Sequence, residues 1–249
     1  MVAALPAPTT PIPRSPAAIV VALNRTSEHL AQTIGQWDKS MPPPRAVVLL
    51  ALYEQRTIRV LARDQRLAHR VDRLDPDVRN DVVAATDLFQ LSKSTPHPLG
   101  RPHLGAPARA ARLLTWYREA QRRFHIRWQL VAAINFVESA FNKVRNTSGA
   151  GAQGPMQFEP ATWKAYGLGG NIDDPHDSIV AAANYLAANG AVHDEREALY
   201  HYNPSRLYVD AISRYADQMQ KDRRAFYAYY SWQVFWRTSS GDRRLTGPR

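Results

Sequence analysis

The sequence of 249 residues contains no cysteine. Structural disulfides, zinc sites with cysteine ligands and a thiol nucleophile are therefore excluded. Long apolar runs are also missing, and because none approaches the roughly 20 residues of a membrane span, no transmembrane segment is expected. Residues 1–16 lack the charged and apolar stretches of a signal peptide. Their Ala/Pro/Thr composition is instead typical of the start of a mature exported protein or of a flexible tether.

Acidic residues are few relative to basic ones. The chain has 32 Lys and Arg against 22 Asp and Glu, a formal net charge of +10, and most of the basic residues are arginines. A basic protein attracts polyanions such as nucleic acid, anionic lipid or an anionic cell-wall polymer, and charge alone does not choose among them. Since nothing beyond charge points to nucleic acid, we expect no nucleic-acid partner.

Apolar and aromatic residues are plentiful. Apolar residues make up 45% of the chain, and the six Trp and eleven Tyr supply ample material for a core. Apolar side chains recur at helical spacing along most of the sequence, which predicts a mainly α fold. The length allows one substantial domain plus a smaller appendage.

Proline and glycine clusters divide the chain into five segments. We predict a Pro-rich flexible leader at 1–16, a small helical N-terminal region at 17–95, a linker at 96–107, a helical domain at 108–222 and an aromatic C-terminal extension at 223–249. Within the N-terminal region the predicted helices span 17–38, 45–74 and a stretch opened by Asp75-Pro76, an N-cap with a first-turn proline. In the extension, Gly241-Asp242 indicates a short hairpin.

Glu138 interrupts an apolar helix face. The predicted helix spans 128–141, and Val131, Ile134, Glu138 and Phe141 fall on one side of it, which is otherwise the core side. A carboxylate in that position must be paired, hydrogen-bonded or kept protonated by desolvation. Desolvation raises the pKa of a glutamate toward neutrality, as a general acid requires.

A simpler interpretation of Glu138 is a side chain that reaches solvent at a helix end or pairs with Arg127 or Arg145. Helical periodicity alone favours that interpretation. The helix is followed by a Gly- and Ser-rich loop at 142–154, however, which is a suitable lining for a cleft.

The motifs around Glu138 resemble those of the lytic murein transglycosylases. In order along the chain they are Glu138-Ser139-Ala140-Phe141-Asn142, Ser148-Gly149-Ala150, Gly154-Pro155-Met156-Gln157-Phe158, Pro160-Ala161-Thr162-Trp163, Asp174-Pro175, Ala181-Ala182-Ala183-Asn184-Tyr185-Leu186 and Tyr202-Asn203. This order is that of the soluble lytic transglycosylase domain, a relative of goose-type lysozyme, and looks closest to its actinobacterial form. The resemblance spans about 108–219 and does not include the N-terminal region.

The resemblance implies a lysozyme-like helical catalytic domain with Glu138 as its catalytic acid/base. It also implies a set of substrate-binding residues, namely Ser139, Ser148, Gly154, Met156, Gln157, Phe158, Tyr202 and Asn203. In the family pattern, Ser148 and Gln157 hydrogen-bond the sugar, Met156 and Phe158 form an apolar cleft floor, and the Tyr-Asn pair faces the acid. Taken singly, each of these residues also suits a cap, a turn or the core.

The implied activity is cleavage of the MurNAc-β-1,4-GlcNAc bond of peptidoglycan, with one glutamate as acid and then base and with 1,6-anhydro-MurNAc ends as product. The alternatives are a lysozyme-like peptidoglycan hydrolase and a non-catalytic wall-binding protein of the same fold. The resemblance implies no cofactor, peptidoglycan glycan strands as the partner, a monomer, and an exported protein at the cell wall whose signal sequence is not present in this chain.

Ordinary glycosidases use a second carboxylate, and the candidates for one are weak. Glu159 replaces a residue that is usually apolar in the family, and its position favours an interaction with the start of a helix at Pro160. Asp173, Asp174 and Asp177 are interpreted as caps of the next helix. The stretch 167–177 lacks the spacing of a calcium loop, so we predict no metal.

Six arginines recur at three- and four-residue spacing in the predicted helix 45–74. They are Arg56, Arg59, Arg63, Arg66, Arg70 and Arg73. One interpretation is a solvated face that Glu54, Asp64 and Asp72 partly neutralise. The other is a surface that binds anionic wall polymers or the membrane. The neighbouring Val60, Leu67, Val71 and Leu74 are expected to pack on other helices.

Overall fold

The structure is a computed structural model that describes residues 4–71, 73–94, 101–238 and 241–248. Over these residues the chain is mainly helical, as predicted. The elements in chain order are α1 Pro16–Gln36, α2 Arg45–Arg63, α3 Gln65–His69, α4 Pro76–Ser94, α5 Ala110–Phe124, α6 Trp128–Ser139, α7 Pro160–Tyr166, α8 Pro175–Ala188, α9 Glu195–Tyr202, α10 Arg206–Lys221, α11 Arg224–Ser231, β1 Phe235–Thr238 and β2 Gly241–Arg244. None of the described helices combines the length and apolar character needed to cross a membrane.

The long helix predicted over 45–74 is wrong, because the chain breaks at Asp64. This residue leaves the helical region, with φ −114° and ψ 86°, and its carboxylate accepts a hydrogen bond from the Leu67 N–H. A short aspartate side chain competes in this way for backbone donors, and it begins the new helix α3. The predicted start of α4 is as expected, since Asp75 caps the Asp77 N–H and Pro76 is the first helical residue.

The N-terminal helices and the following domain share one hydrophobic core. Helix α4 packs on α10, α1 packs on α2 and α11, and α2 packs on α4. Polar contacts cross the same boundary: the Tyr229 hydroxyl donates to Asp81, and the Asn80 side chain donates to the Arg214 carbonyl. The region 17–95 is thus integrated with the domain that follows it.

The segments that flank these helices also contact the rest of the protein. The Arg56 guanidinium donates to the carbonyls of Pro8 and Thr10 in the leader. Residues 95–100, which include the start of the predicted linker 96–107, lie outside the described residues. Beyond them, Leu104 pairs with Val144 in an isolated β-bridge, which fixes the end of the linker against the loop after α6.

The C-terminal extension begins with α11 and ends in an antiparallel hairpin of β1 and β2, as predicted from Gly241-Asp242. Asp242 lies at the start of β2 and forms ion pairs with Arg59 and Arg63 of α2. The buried Lys143 donates to the carbonyls of Tyr230 and Trp232 at the end of α11. The extension therefore contacts both the N-terminal helices and the loop that follows α6.

Candidate active site

Helix α6 ends abruptly beside the candidate catalytic residue. It stops at Ser139, two residues before the predicted end, because Ala140, Phe141 and Asn142 all adopt left-handed backbone conformations, with φ of 51°, 62° and 66°. The Ser139 hydroxyl holds this turn by accepting from the Asn142 N–H at 2.8 Å and donating to the Pro155 carbonyl at 2.6 Å. The end of α6 is thereby joined to the loop that contains Met156 and Gln157.

Glu138 occupies the last turn of α6 and is only partly exposed. Burial raises the pKa of its carboxyl group to about 7, against the opposing effect of a hydrogen bond of 2.7 Å that the Tyr208 hydroxyl donates to Oε1. The alternative of an ion pair with Arg127 or Arg145 is wrong. Arg127 pairs with Glu195 and Asp217, and Arg145 donates to the Ala106 carbonyl.

Glu138 lines a cavity of about 510 Å³. The end of α6, Ser148 and Gly149 contribute to its lining. The other lining residues come from α2, α4 and the C-terminal hairpin, together with Tyr215 of α10 and Trp232. A glutamate with a raised pKa at the wall of a cavity of this size is a candidate general acid with room for a ligand beside it.

The loop at 148–158 is built by local hydrogen bonds. Ser148 accepts from the Ala152 N–H at 2.9 Å and lines the cavity, so its hydroxyl can still donate. Gly154 has a φ of 73°, and a Cβ there would lie 2.0 Å from the Ile172 carbonyl oxygen, so only glycine fits. Gln157, at φ 51°, is partly exposed and donates from Nε2 to the carbonyls of Asn146 and Gly154.

Three of the predicted substrate-binding residues are buried instead of facing the cavity. Met156 is completely buried, Phe158 is 3% exposed and Ser139 is 1% exposed. The Ser139 hydroxyl is occupied by backbone groups, and Phe158 packs its ring against Trp163 and Tyr202. Their contact with substrate stays a prediction, and in this structure their side chains pack in the core, as the alternative of core residues allowed.

The Tyr202-Asn203 pair, predicted to face the acid, makes its hydrogen bonds to backbone groups. The Tyr202 hydroxyl donates to the Met156 carbonyl at 2.6 Å, and Asn203 caps the C-terminus of α9. The hydroxyl that reaches Glu138 belongs to Tyr208, which none of the sequence motifs singled out. Burial, and secondly the Glu138 charge, raise the pKa of both tyrosines, which places both rings near the acid. Tyr202 remains a neighbour of Glu138 without being its hydrogen-bond partner.

Residues 115–224 match the family model described as the Transglycosylase SLT domain. Over these residues the chain is similar to a transglycosylase SLT domain. The resemblance inferred from the ordered motifs is confirmed over this stretch, which begins within α5, ends at the start of α11 and includes Glu138 and Tyr208. Helices α1–α4 and the C-terminal hairpin lie outside the match. No solved structure matches the chain.

Glu159 and Asp174, two of the other carboxylates in the matched stretch, lie at helix starts. Glu159 is the exposed N-cap residue of α7 and makes no side-chain cap hydrogen bond. Asp174 caps α8 by accepting from the N–H groups of His176 and Asp177. Asp174, His176 and Asp177 have ligand atoms within 4.8 Å of one another. Their atoms already contact backbone N–H groups and one another, as expected of a helix cap.

The six arginines upstream of the SLT domain do not form one helical stripe, because α2 ends at Arg63. Arg56, Arg59 and Arg63 contact the leader carbonyls or Asp242, so they are engaged within the protein. Val60, expected to pack on other helices, is 39% exposed. The remaining three are exposed and lie in or after α3, namely Arg66, Arg70 and Arg73. Attachment to anionic polymers stays a prediction for these three.

Proposed function

We propose that the SLT domain cleaves the MurNAc-β-1,4-GlcNAc bond of peptidoglycan and leaves 1,6-anhydro-MurNAc ends. The observation that carries the proposal is Glu138, whose pKa is raised to about 7 at the wall of the 510 Å³ cavity. A carboxyl group with that pKa holds a proton in a large fraction of molecules near neutral pH and can also accept one back.

In the first step Glu138 gives its proton to the oxygen that links the two sugars, and the bond from that oxygen to C1 of MurNAc breaks. The carbonyl of the substrate's own N-acetyl group stabilises the positive charge that develops at C1. Glu138, now a carboxylate, takes the proton of the muramyl C6 hydroxyl. The oxygen of that hydroxyl at the same time forms a bond to C1. No water is consumed, and Glu138 ends protonated as it began.

A second carboxylate in position to activate water would favour hydrolysis instead. Asp242 is the other carboxylate among the described residues that line the cavity, and it is paired with both Arg59 and Arg63. Its carboxylate is already occupied by two guanidinium groups, so it is not free to activate a water molecule. Glu159 does not line the cavity. These contacts favour the mechanism with a single glutamate.

The test is digestion of purified peptidoglycan by the wild type and by Glu138→Gln, with mass spectrometry of the released muropeptides. We expect products lighter by one water than reducing-end muropeptides, and no product from the variant, whose melting temperature should be no lower than that of the wild type. Reducing-end products would instead identify a hydrolase. Retention on peptidoglycan without any product, equal in both proteins, would identify a wall-binding protein. Since the proposed substrate lies outside the cytoplasmic membrane, we propose that the protein acts there, in the cell wall.

A further inference from the structure

Much of the lining of the Glu138 cavity comes from parts of the chain outside the SLT match. Three arginines line the cavity, Arg59 and Arg63 from α2 and Arg237 from β1, and we call them the arginine wall. Arg63 and Arg237 both lie over the ring of Phe89 in α4, with their guanidinium carbons 5.2 Å and 5.6 Å from its centroid. Two separate segments, α2 and β1, thus bring positive charge to the cavity.

The arginine wall carries more positive charge than its neighbours neutralise. Asp242 is shared between Arg59 and Arg63, and Arg237 donates to the carbonyl and hydroxyl of Ser92, which are neutral. Three guanidinium groups therefore face one lining carboxylate other than Glu138. The side chains of Arg59 and Arg63 remain 32% and 37% exposed, so both can contact a ligand. A cavity with this balance favours an anionic group.

Apolar side chains lie beside the arginines in the cavity lining. Among them are Ala62, Leu88 and Phe89. A ligand that fits both features carries small apolar groups together with a carboxylate. The cavity volume of 510 Å³ is much larger than a three-carbon lactyl group needs. It leaves room for further groups beside the part of a sugar that must reach Glu138.

We propose that this cavity binds the stem peptide attached to muramic acid, with the arginine wall pairing with a peptide carboxylate and the apolar residues contacting its alanine side chains. The inference rests on the proposed function, since it takes Glu138 to act on a peptidoglycan strand. Glycan strands that carry stem peptides are then preferred as substrate over strands without them. The helices and hairpin outside the SLT match then determine specificity.

The experiment compares two substrates, peptidoglycan strands that carry stem peptides and the same strands after an amidase has removed the peptides. The measured quantity is the ratio of kcat/KM on the two. We expect the wild type to prefer the peptide-bearing strands by roughly tenfold or more, as for one charge-assisted contact, and Arg63→Gln or Arg237→Gln to lower that ratio to near one. Arg45→Gln, a matched change of an exposed arginine at the start of the same helix and outside the cavity, should keep it.

Arg63→Lys retains the positive charge and tests for a purely structural role, because it should keep part of the preference that Arg63→Gln loses. Equal cleavage of both substrates by the wild type would overturn the inference and leave the proposed function standing. So would faster cleavage of the strands without peptides, which would identify the free lactyl carboxylate as the ligand. A preference that both glutamine variants retain would also overturn it. Cleavage of neither substrate would overturn the proposed function as well.

Discussion

At the scale of single residues, the pKa of Glu138 sets a pH dependence. The group must be protonated to act as an acid, and burial raises its pKa to about 7. Activity should therefore be present below pH 7 and fall as pH rises through 7. Tyr208 adjusts this midpoint, because its hydrogen bond stabilises the ionised carboxylate and lowers the pKa.

Tyr208→Phe removes this hydrogen bond and leaves the ring in place. We expect the alkaline limb of the pH–rate profile to move to higher pH, because the carboxylate loses a donor. We also expect kcat to fall by roughly tenfold, the scale of one hydrogen bond to a charged group. The matched change Tyr202→Phe removes a hydroxyl that contacts the Met156 carbonyl instead, so its pH midpoint should stay in place. A midpoint that moves with Tyr202 and not with Tyr208 would contradict this assignment.

The sequence predicted the position of Glu138 on its helix but not its partner. Helical spacing identified a carboxylate on an apolar face, and the ordered motifs indicated its role. Tyr208 lies among Ile212 and Tyr215 on the apolar face of α10, so its pattern is that of a core residue. Whether such a hydroxyl meets a carboxylate depends on how α6 and α10 cross, which local spacing does not determine.

At the scale of elements, the end of α6 positions Glu138 and carries backbone strain. Ala140 adopts a φ of 51°, where a Cβ costs roughly 1–2 kcal/mol and where glycine is the usual residue. Sequence periodicity extended this helix to Phe141 because no glycine marked its end. No glycine marks the break at Asp64 either, so helical periodicity did not predict it. The Asp64 side chain caps the start of α3 within an otherwise helical pattern.

Ala140→Gly should stabilise the protein by roughly 0.5–1 kcal/mol, because the relief of strain exceeds the entropy that glycine adds to the unfolded chain. The measurement is the free energy of unfolding from urea denaturation. Ala31→Gly is the matched control in the middle of α1, and it should destabilise by about 1 kcal/mol because no strain is relieved there. A loss of stability in Ala140→Gly as large as that of the control would show that the left-handed turn is not strained.

At the scale of the whole molecule, one core joins helices that the sequence divided into a region and a domain. The predicted boundary followed the proline- and glycine-rich stretch before 108, but packing of α4 on α10 and of α1 on α11 crosses it. Apolar periodicity shows that a helix has a buried face and does not show which helix covers it. The same packing brings α2, α4 and the hairpin to the Glu138 cavity, so the arginine wall was not evident from the sequence.

Burial of carboxyl groups where these helices meet makes stability depend on pH. Glu54 in α2 is 4% exposed, and burial raises its pKa from 4.5 to about 7. Between these values the folded state holds a proton that the unfolded chain has lost. The stabilisation is thus full below about pH 4.5 and is lost as pH rises through 7. A shift of this size corresponds to about 3 kcal/mol.

Glu54→Gln removes that ionisation. From pH 4 to pH 8, the free energy of unfolding should therefore fall by about 3 kcal/mol less in the variant than in the wild type. Urea denaturation at the two pH values measures the difference. Burial also raises the pKa of Asp81 and of Glu138, so a smaller pH slope should remain in the variant. Glu28→Gln changes an exposed carboxylate on the same N-terminal helices and should leave the wild-type slope intact. If Glu54→Gln and the wild type lost stability equally, Glu54 would be ionised in the folded protein, and the helices that enclose it would have to admit water.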